Sequence, residues 1–122
     1  MAYSDGMPFP PQSVVETSQY EARAAKRLTA IERDEALYLI ASHPERGVVI
    51  PGTGGIRKIR FGIAGRGKSG GVRIIYFFYN ERMPIYLLTV FAKNEKSDLS
   101  RKGQQSLSKL TKQLVAVHGG DR

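Results

Sequence analysis

Apolar residues change their spacing twice along this chain, and the two changes divide it into three zones. Between positions 18 and 43 they recur every three to four residues, the period of a helix with one buried face. Tyr20, Ala24 and Leu28 share one such face, and Ala30, Leu37, Ile40 and Ala41 share another. Ser18 with Glu21, and Thr29 with Glu32, have the spacing of capping boxes, so a helix is expected to open at each. The second should stop at His43, because Pro44 disfavours helical geometry in the residue before it. Val14 and Val15, ahead of both helices, start a short strand.

From Val48 the period falls to two. Residues 56–61 alternate, with Ile59 and Phe61 on one face and Ile56, Lys58 and Arg60 on the other. Residues 72–79 (VRIIYFFY) and 85–92 (IYLLTVFA) are apolar on both faces, as central strands are, and 80–84 (NERMP) is the hairpin between them. The helical period then returns. Asp98 is placed to cap a last helix whose Leu107, Leu110, Leu114 and Val117 form a stripe ended by Gly119. A short strand, two helices, three antiparallel strands and a helix make a single α+β domain over residues 14–119, with no internal repeat. Residues 1–13 hold four glycine or proline residues and read as a disordered lead-in or tag remnant, and 120–122 as a tail.

Charge adds what periodicity cannot. The 122-residue chain carries 19 Lys and Arg against 11 Asp and Glu, a net +8. Nine of the cations lie between Arg57 and Lys96, opposed only by Glu81 and Glu95, so this β-rich stretch holds +7 of the +8. That is an electrostatic footprint for a polyanion, nucleic acid first. A membrane partner is disfavoured, since no amphipathic helix is read as carrying a one-sided basic face. The absence of cysteine excludes disulfides, thiolate metal sites and cysteine nucleophiles, and fits a reducing cytoplasm. No 18-residue apolar run exists, and the N-terminus does not resemble a signal peptide.

The spacing of the cations sharpens this reading. If the strands flanking residues 62–71 form a simple hairpin with Arg60 opposite Arg73, then Lys58 lies opposite Ile75 and all three cations share a face. If Tyr79 lies opposite Ile85 across the next turn, Arg73 falls opposite Phe91, and Lys93 extends the same parity past the strand end. A slip of one residue in either hairpin would scatter the group. Like charges set opposite one another are destabilising, so their convergence points to a bound phosphate rather than to a solvated sheet face. The intervening loop, GIAGRGKSGG, has five glycines with Arg66 and Lys68 between them. It lacks a Walker ending and no helix follows it, which argues against a nucleotide site. It reads as a mobile basic finger tracking a nucleic-acid backbone, against the plainer reading of a flexible hairpin loop. Gly52, Gly54 and Gly55 are backbone punctuation before the strand. His43 and His118 have no ligand-spaced partners and read as surface residues, the acidic residues show no metal-binding pattern, and Glu95 reads as a solvated turn residue ahead of the alternative that it orients Lys93.

The run GTGGIRKIRF, then GKSGGVRIIYFFYN, then IYLLTVFAKNEKSDL resembles the RelE/HigB superfamily of toxin–antitoxin toxins, its HigB-like branch in particular. The likeness extends from about Val14 to the last helix. It implies two N-terminal helices and a C-terminal helix packed on a twisted antiparallel sheet of three to four strands. It also implies ribosome-dependent, metal-independent mRNA cleavage that needs no cofactor. In that reaction the 2′-hydroxyl attacks the adjacent phosphate, leaving a cyclic phosphate and a 5′-hydroxyl. Matched residue by residue, the family's catalytic cations fall on Lys58, Arg60, Arg73 and Lys93; Arg57, Arg66, Lys68, Asn94 and Lys96 are expected around them as RNA or ribosome contacts.

The expected partners are the ribosome with its mRNA and a cognate antitoxin of helix-turn-helix, HigA-like type, through which alone operator DNA would be reached. The chain departs from the pattern at two places. Many RelE-type toxins have an arginine where Asn94 stands and a tyrosine near Ser100, which leaves the general base open. The alternative on the same fold is a ParE-like gyrase inhibitor or a non-catalytic basic nucleic-acid-binding protein.

Overall fold

The computed structural model describes residues 12–62, 71–95 and 100–119. The glycine loop with Arg66 and Lys68, Lys96, the expected cap Asp98, and most of the N-terminal lead-in lie outside these residues. The element order is β1 (Val14–Glu16), α1 (Ser18–Arg27), α2 (Ala30–Ser42), β2 (Val48–Val49), β3 (Ile56–Phe61), β4 (Val72–Phe77), β5 (Ile85–Ala92) and α3 (Arg101–Val117).

Five strands form one sheet in the order β1-β5-β4-β3-β2. The sheet is mixed rather than wholly antiparallel, because β1 runs parallel to β5, with Val14 opposite Ile85. The sheet has one strand more than the three to four expected. The three-residue β1 is the parallel edge, and the two-residue β2 pairs antiparallel with β3, Val48 opposite Lys58.

Residues apolar on both faces of β4 and β5 have a helix layer on each side to bury them. On one side α1 and α2 bring Tyr20, Ala24, Leu28, Ala36 and Ile40 against Ile59, Val72, Ile74, Tyr76, Ile85, Leu87 and Val90. On the other, Leu107, Leu110, Leu114 and Val115 of α3 pack on Ile50, Ile56, Ile75, Phe77, Leu88 and Phe91. Ala30, expected inside, is exposed, and Ala36 further along the helix takes that role. Val117, expected at the end of the α3 stripe, is also exposed.

The caps follow hydrogen-bond geometry. Thr17, not Ser18, caps α1, its hydroxyl accepting from Tyr20 N–H. The same hydroxyl lies 2.9 Å from the Leu87 carbonyl and so ties the helix start to β5. Thr29 and Glu32 form the reciprocal capping box that the sequence predicts. Gln12, within the expected lead-in, is fastened into the fold by donating its amide to the carbonyls of Asn80 and Met83.

Between β2 and β3, Thr53 is fully buried. Its hydroxyl donates to the Ile50 carbonyl and accepts from Ile56 N–H. The Thr111 hydroxyl of α3 reaches the Thr53 carbonyl at 3.1 Å. Gly54 has φ +78°, and a Cβ there would lie 2.7 Å from the Thr111 oxygen. The glycine-rich turn therefore seats α3 on the sheet, a more definite role than punctuation.

Candidate functional site

The β3–β4 register puts Arg60 directly opposite Arg73 and Lys58 opposite Ile75. Directly opposed residues share a face, with Cβ atoms about 4.5–5.5 Å apart. Ile75 is buried beneath α3, so the three cations lie on the α3 side of the sheet. On β5 the neighbour of Arg73 is Phe91, as expected. The route to that pairing differs from the simple hairpin. β4 ends at Phe77, which faces Tyr86, and a bulge between Ile75 and Tyr76 shifts the register by one. Next to the turn the register is one residue off the simple hairpin, Phe77 facing Tyr86 rather than Leu87, and the bulge restores it, so the alignment at Arg73 is kept. The extra residue sits on β5, where Ile75 faces Thr89 but Tyr76 faces Leu87, leaving Leu88 unpaired.

Lys93 begins the turn after β5, and its backbone N–H donates to the Gly71 carbonyl at 3.3 Å. This bond holds the Lys93–Asn94 turn against the start of β4, two residues from Arg73. Lys58, Arg60, Lys93 and Asn94 are exposed, while Arg73 is half-buried. Burial, and secondarily the charge of Arg60, push the Arg73 guanidinium below its ordinary value; a guanidinium nevertheless stays protonated. None of these cations forms an ion pair with a described carboxylate. The arrangement is an unneutralised cationic surface with one rigid member, suited to a phosphate carrying extra negative charge in a transition state.

Two residues occupy places the sequence did not foretell. Arg57 is turned to the opposite face, where it faces Tyr76 and donates to the carbonyls of Glu45 and Gly47. It braces the turn before β2 and is not brought into the cation group. Glu95 is no solvated turn residue. Its carboxylate accepts from Arg23 and Arg27 of α1 and, at 2.7 Å, from Ala92 N–H. Arg23 also donates to the Val90 carbonyl. α1 thus clamps the end of β5 immediately beside Lys93, and the described acid nearest the cations in sequence is already paired.

The Arg27 hydrogen bond, the Ala92 N–H and the two nearby guanidinium charges hold the Glu95 carboxyl down to about 2, from 4.5. A depressed carboxylate contributes stability that is complete above 4.5 and disappears as pH falls toward 2. Glu95→Gln is therefore expected to be less stable than wild type at about pH 7 and to lose less on going from about pH 5 to about pH 3. Urea midpoints across this range measure the effect; parallel pH dependence in both proteins would contradict it.

Ser100 is the N-cap of α3, its oxygen accepting from Gly103 N–H. His118 is bonded to the Tyr86 hydroxyl at 2.6 Å and so is part of the α3 docking rather than a lone surface residue. Among the described residues no cluster of three or more His, Asp or Glu could hold a metal ion. A cavity of about 950 Å³ opens at the far end of β4, lined by Gln12, Ser42, His43, Phe78 and Glu81 among others. Its lining includes none of Lys58, Arg60, Arg73 and Lys93, and it carries Glu45 and Glu81 beside Arg46.

A family model described as the RelE toxin of the RelE/RelB toxin–antitoxin system matches residues 15–121. The chain belongs to the RelE toxin family. Among solved structures it is similar to a mutant of the E. coli toxin RelE in the free state, with a TM-score of 0.53 at 14% identity. The match covers 82% of this chain and 97% of that one. At that identity the likeness carries the fold, three helices on a twisted sheet, which agrees with the architecture above. As a RelE-family member the protein is the toxin of a toxin–antitoxin system, and its partner is a cognate antitoxin. No helix among the described residues is long and apolar enough to cross a membrane.

Proposed function

We propose that this RelE-family toxin acts in the cytoplasm as a ribosome-dependent mRNA endonuclease, with Lys58, Arg60, Arg73 and Lys93 as its reacting group. The observation that carries the reading is the direct opposition of Arg60 and Arg73, with Lys58 on the same face and no described acid to neutralise them. Such a juxtaposition costs the free protein stability, and a pentacoordinate phosphate would relieve it.

In this reading the mRNA 2′-hydroxyl attacks the adjacent phosphorus, its oxygen forming the new bond as the bond to the 5′-oxygen breaks. Arg73, fixed in a buried strand, clamps the non-bridging oxygens, and Arg60 opposite adds charge. Guanidinium does not release its proton, so the two proton transfers fall to the lysines. One of Lys58 and Lys93, as the uncharged amine, takes the 2′-hydroxyl proton, and the other, as the ammonium, protonates the departing 5′-oxygen. The products are a cyclic phosphate and a 5′-hydroxyl. Asn94, Lys96 and the loop residues Arg66 and Lys68 serve RNA or ribosome contact. Arg57 is left out, because its guanidinium is already engaged with backbone carbonyls.

The competing reading on this fold is inhibition of DNA gyrase, favoured by the two departures from the nuclease pattern. Asn94 replaces an arginine, and position 100 is committed to capping α3. Induced expression should arrest growth and cut transcripts only while they are translated. Gyrase supercoiling should continue in the presence of the purified protein. Inhibited supercoiling with intact transcripts reverses the ranking. Arg66→Ala with Lys68→Ala is expected to weaken ribosome association and lower its salt sensitivity, while cleavage persists at saturating toxin. A double variant that is inert at saturation would move the loop into the reacting group.

A further inference from the structure

α3 carries four cations, Arg101, Lys102, Lys109 and Lys112, and no acid. All four are exposed, and none is ion-paired with a described residue. At about 100° per residue they fall within a single sector of about 100°, opposite the stripe of Leu107, Leu110 and Leu114 that packs on the sheet. The helix therefore does have a one-sided basic face, contrary to the reading from its sequence, which followed only its apolar stripe.

The placement works against the helix itself. Arg101 and Lys102 stand in the first turn, where the macrodipole disfavours positive charge, and that turn has no acid. The last turn, where cations are favoured, has none. Lys109 and Lys112 are three residues apart and repel. By contrast, α1 and α2 on the other side of the sheet together carry four cations and four acids.

We propose that the outer face of α3 is a docking surface for the phosphate backbone of folded RNA, separate from the cations that meet the scissile phosphate. The helix lies on the same sheet face as Lys58, Arg60 and Arg73, so an RNA surface approaching that side meets both. The four cations span about 16 Å along the helix axis, from an 11-residue separation at about 1.5 Å each, enough for several phosphates. Between them stand exposed Gln105, Ser106 and Gln113, with no large apolar side chain. A protein partner would need buried anchors that this face lacks. The proposal rests on RNA as the partner, but not on cleavage.

The experiment uses the full-length chain with Arg101→Gln, Lys102→Gln, Lys109→Gln and Lys112→Gln combined, and a second variant with only Lys109→Gln and Lys112→Gln. Binding to a stem-loop RNA is measured across a salt series, with poly-glutamate as the acidic-peptide probe and Arg73→Ala as the comparison. The quadruple variant should keep its fold with an unchanged or raised thermal midpoint, since its targets are exposed and their charges work against the helix. It should bind the stem-loop roughly tenfold or more weakly near physiological salt. Its log–log salt slope should fall by about one for each cation removed, and the double variant should fall about half as far.

Arg73→Ala should keep most of that slope, whatever happens to cleavage, so a failure of the nuclease reading can be told apart. Unchanged RNA affinity and slope in both variants would overturn the proposal. Loss of poly-glutamate binding with RNA binding intact would also overturn it, assigning the face to an acidic protein segment.

Discussion

Arg73→Ala is expected to lower mRNA cleavage by about 10²–10³-fold, the usual cost of removing one preorganised transition-state contact, and to abolish growth arrest. The fold should survive. Arg73 is half-buried but forms no ion pair with a described residue, and removing it relieves repulsion with Arg60 across the strand pair. Burial already presses on its charge, so the alanine variant should be at least as stable as wild type. Loss of activity with an unchanged or raised thermal midpoint is the expected pair of results. Arg73→Lys should recover only part of the rate, because an ammonium cannot reproduce the planar fork of donors. Wild-type toxicity in Arg73→Ala would remove this residue from the reaction.

The largest structural effect is expected far from the chemistry, at Gly47. Its N–H donates to the Tyr76 hydroxyl at 2.9 Å, and that hydroxyl donates to the Pro44 carbonyl at 2.8 Å. A Cβ on Gly47 would lie 2.7 Å from the tyrosine oxygen, 2.9 Å from its ring and 3.1 Å from the Arg57 Cβ. Tyr76 is completely buried and cannot move aside. Overpacking of this kind costs about 1–3 kcal/mol, to which the strained hydrogen bonds add. Gly47→Ala should therefore melt at least several degrees below wild type, at roughly 4 °C or more per kcal/mol for a domain of this size. The cation group lies on the other face, so activity below the melting point should be nearly normal. A Gly47→Ala variant as stable as wild type would mean that the turn between α2 and β2 is looser than its contacts imply.

Much of this fold was legible because side-chain parity is rigid. Once 56–61 and 72–77 are strands joined across the glycine loop, opposing Arg60 to Arg73 fixes every other pair on those strands. The alternation of Ile59 and Phe61 against Lys58 and Arg60 then decides which face each residue takes. The Arg73–Phe91 pairing was reached through two compensating departures, a one-residue register offset beside the turn and a bulge at Leu88, neither of which has a local signal. The parallel pairing of β1 with β5 and the two-residue β2 were invisible for the same reason: they depend on distant partners, and their strands are too short to show a period. Arg57 illustrates the limit at the site. Its sequence neighbours make it one more cation of a basic run, and only the fold shows its guanidinium spent on Glu45 and Gly47 carbonyls. Glu95 is similar, because its partners Arg23 and Arg27 lie about seventy residues away. The basic face of α3 was readable, since the spacing of Arg101, Lys102, Lys109 and Lys112 needs only the helical period.

The central claim is that the cation group on β3 and β4 cleaves mRNA on the ribosome by attack of the 2′-hydroxyl. It is tested most directly by adding purified toxin to ribosomes programmed with a defined mRNA and reading the ends of the fragments. The expected result is one or a few cuts that appear only when ribosomes occupy the message, each leaving a 5′-hydroxyl and a cyclic phosphate. Intact mRNA in the presence of folded toxin, or fragments ending in a 5′-phosphate, would contradict it.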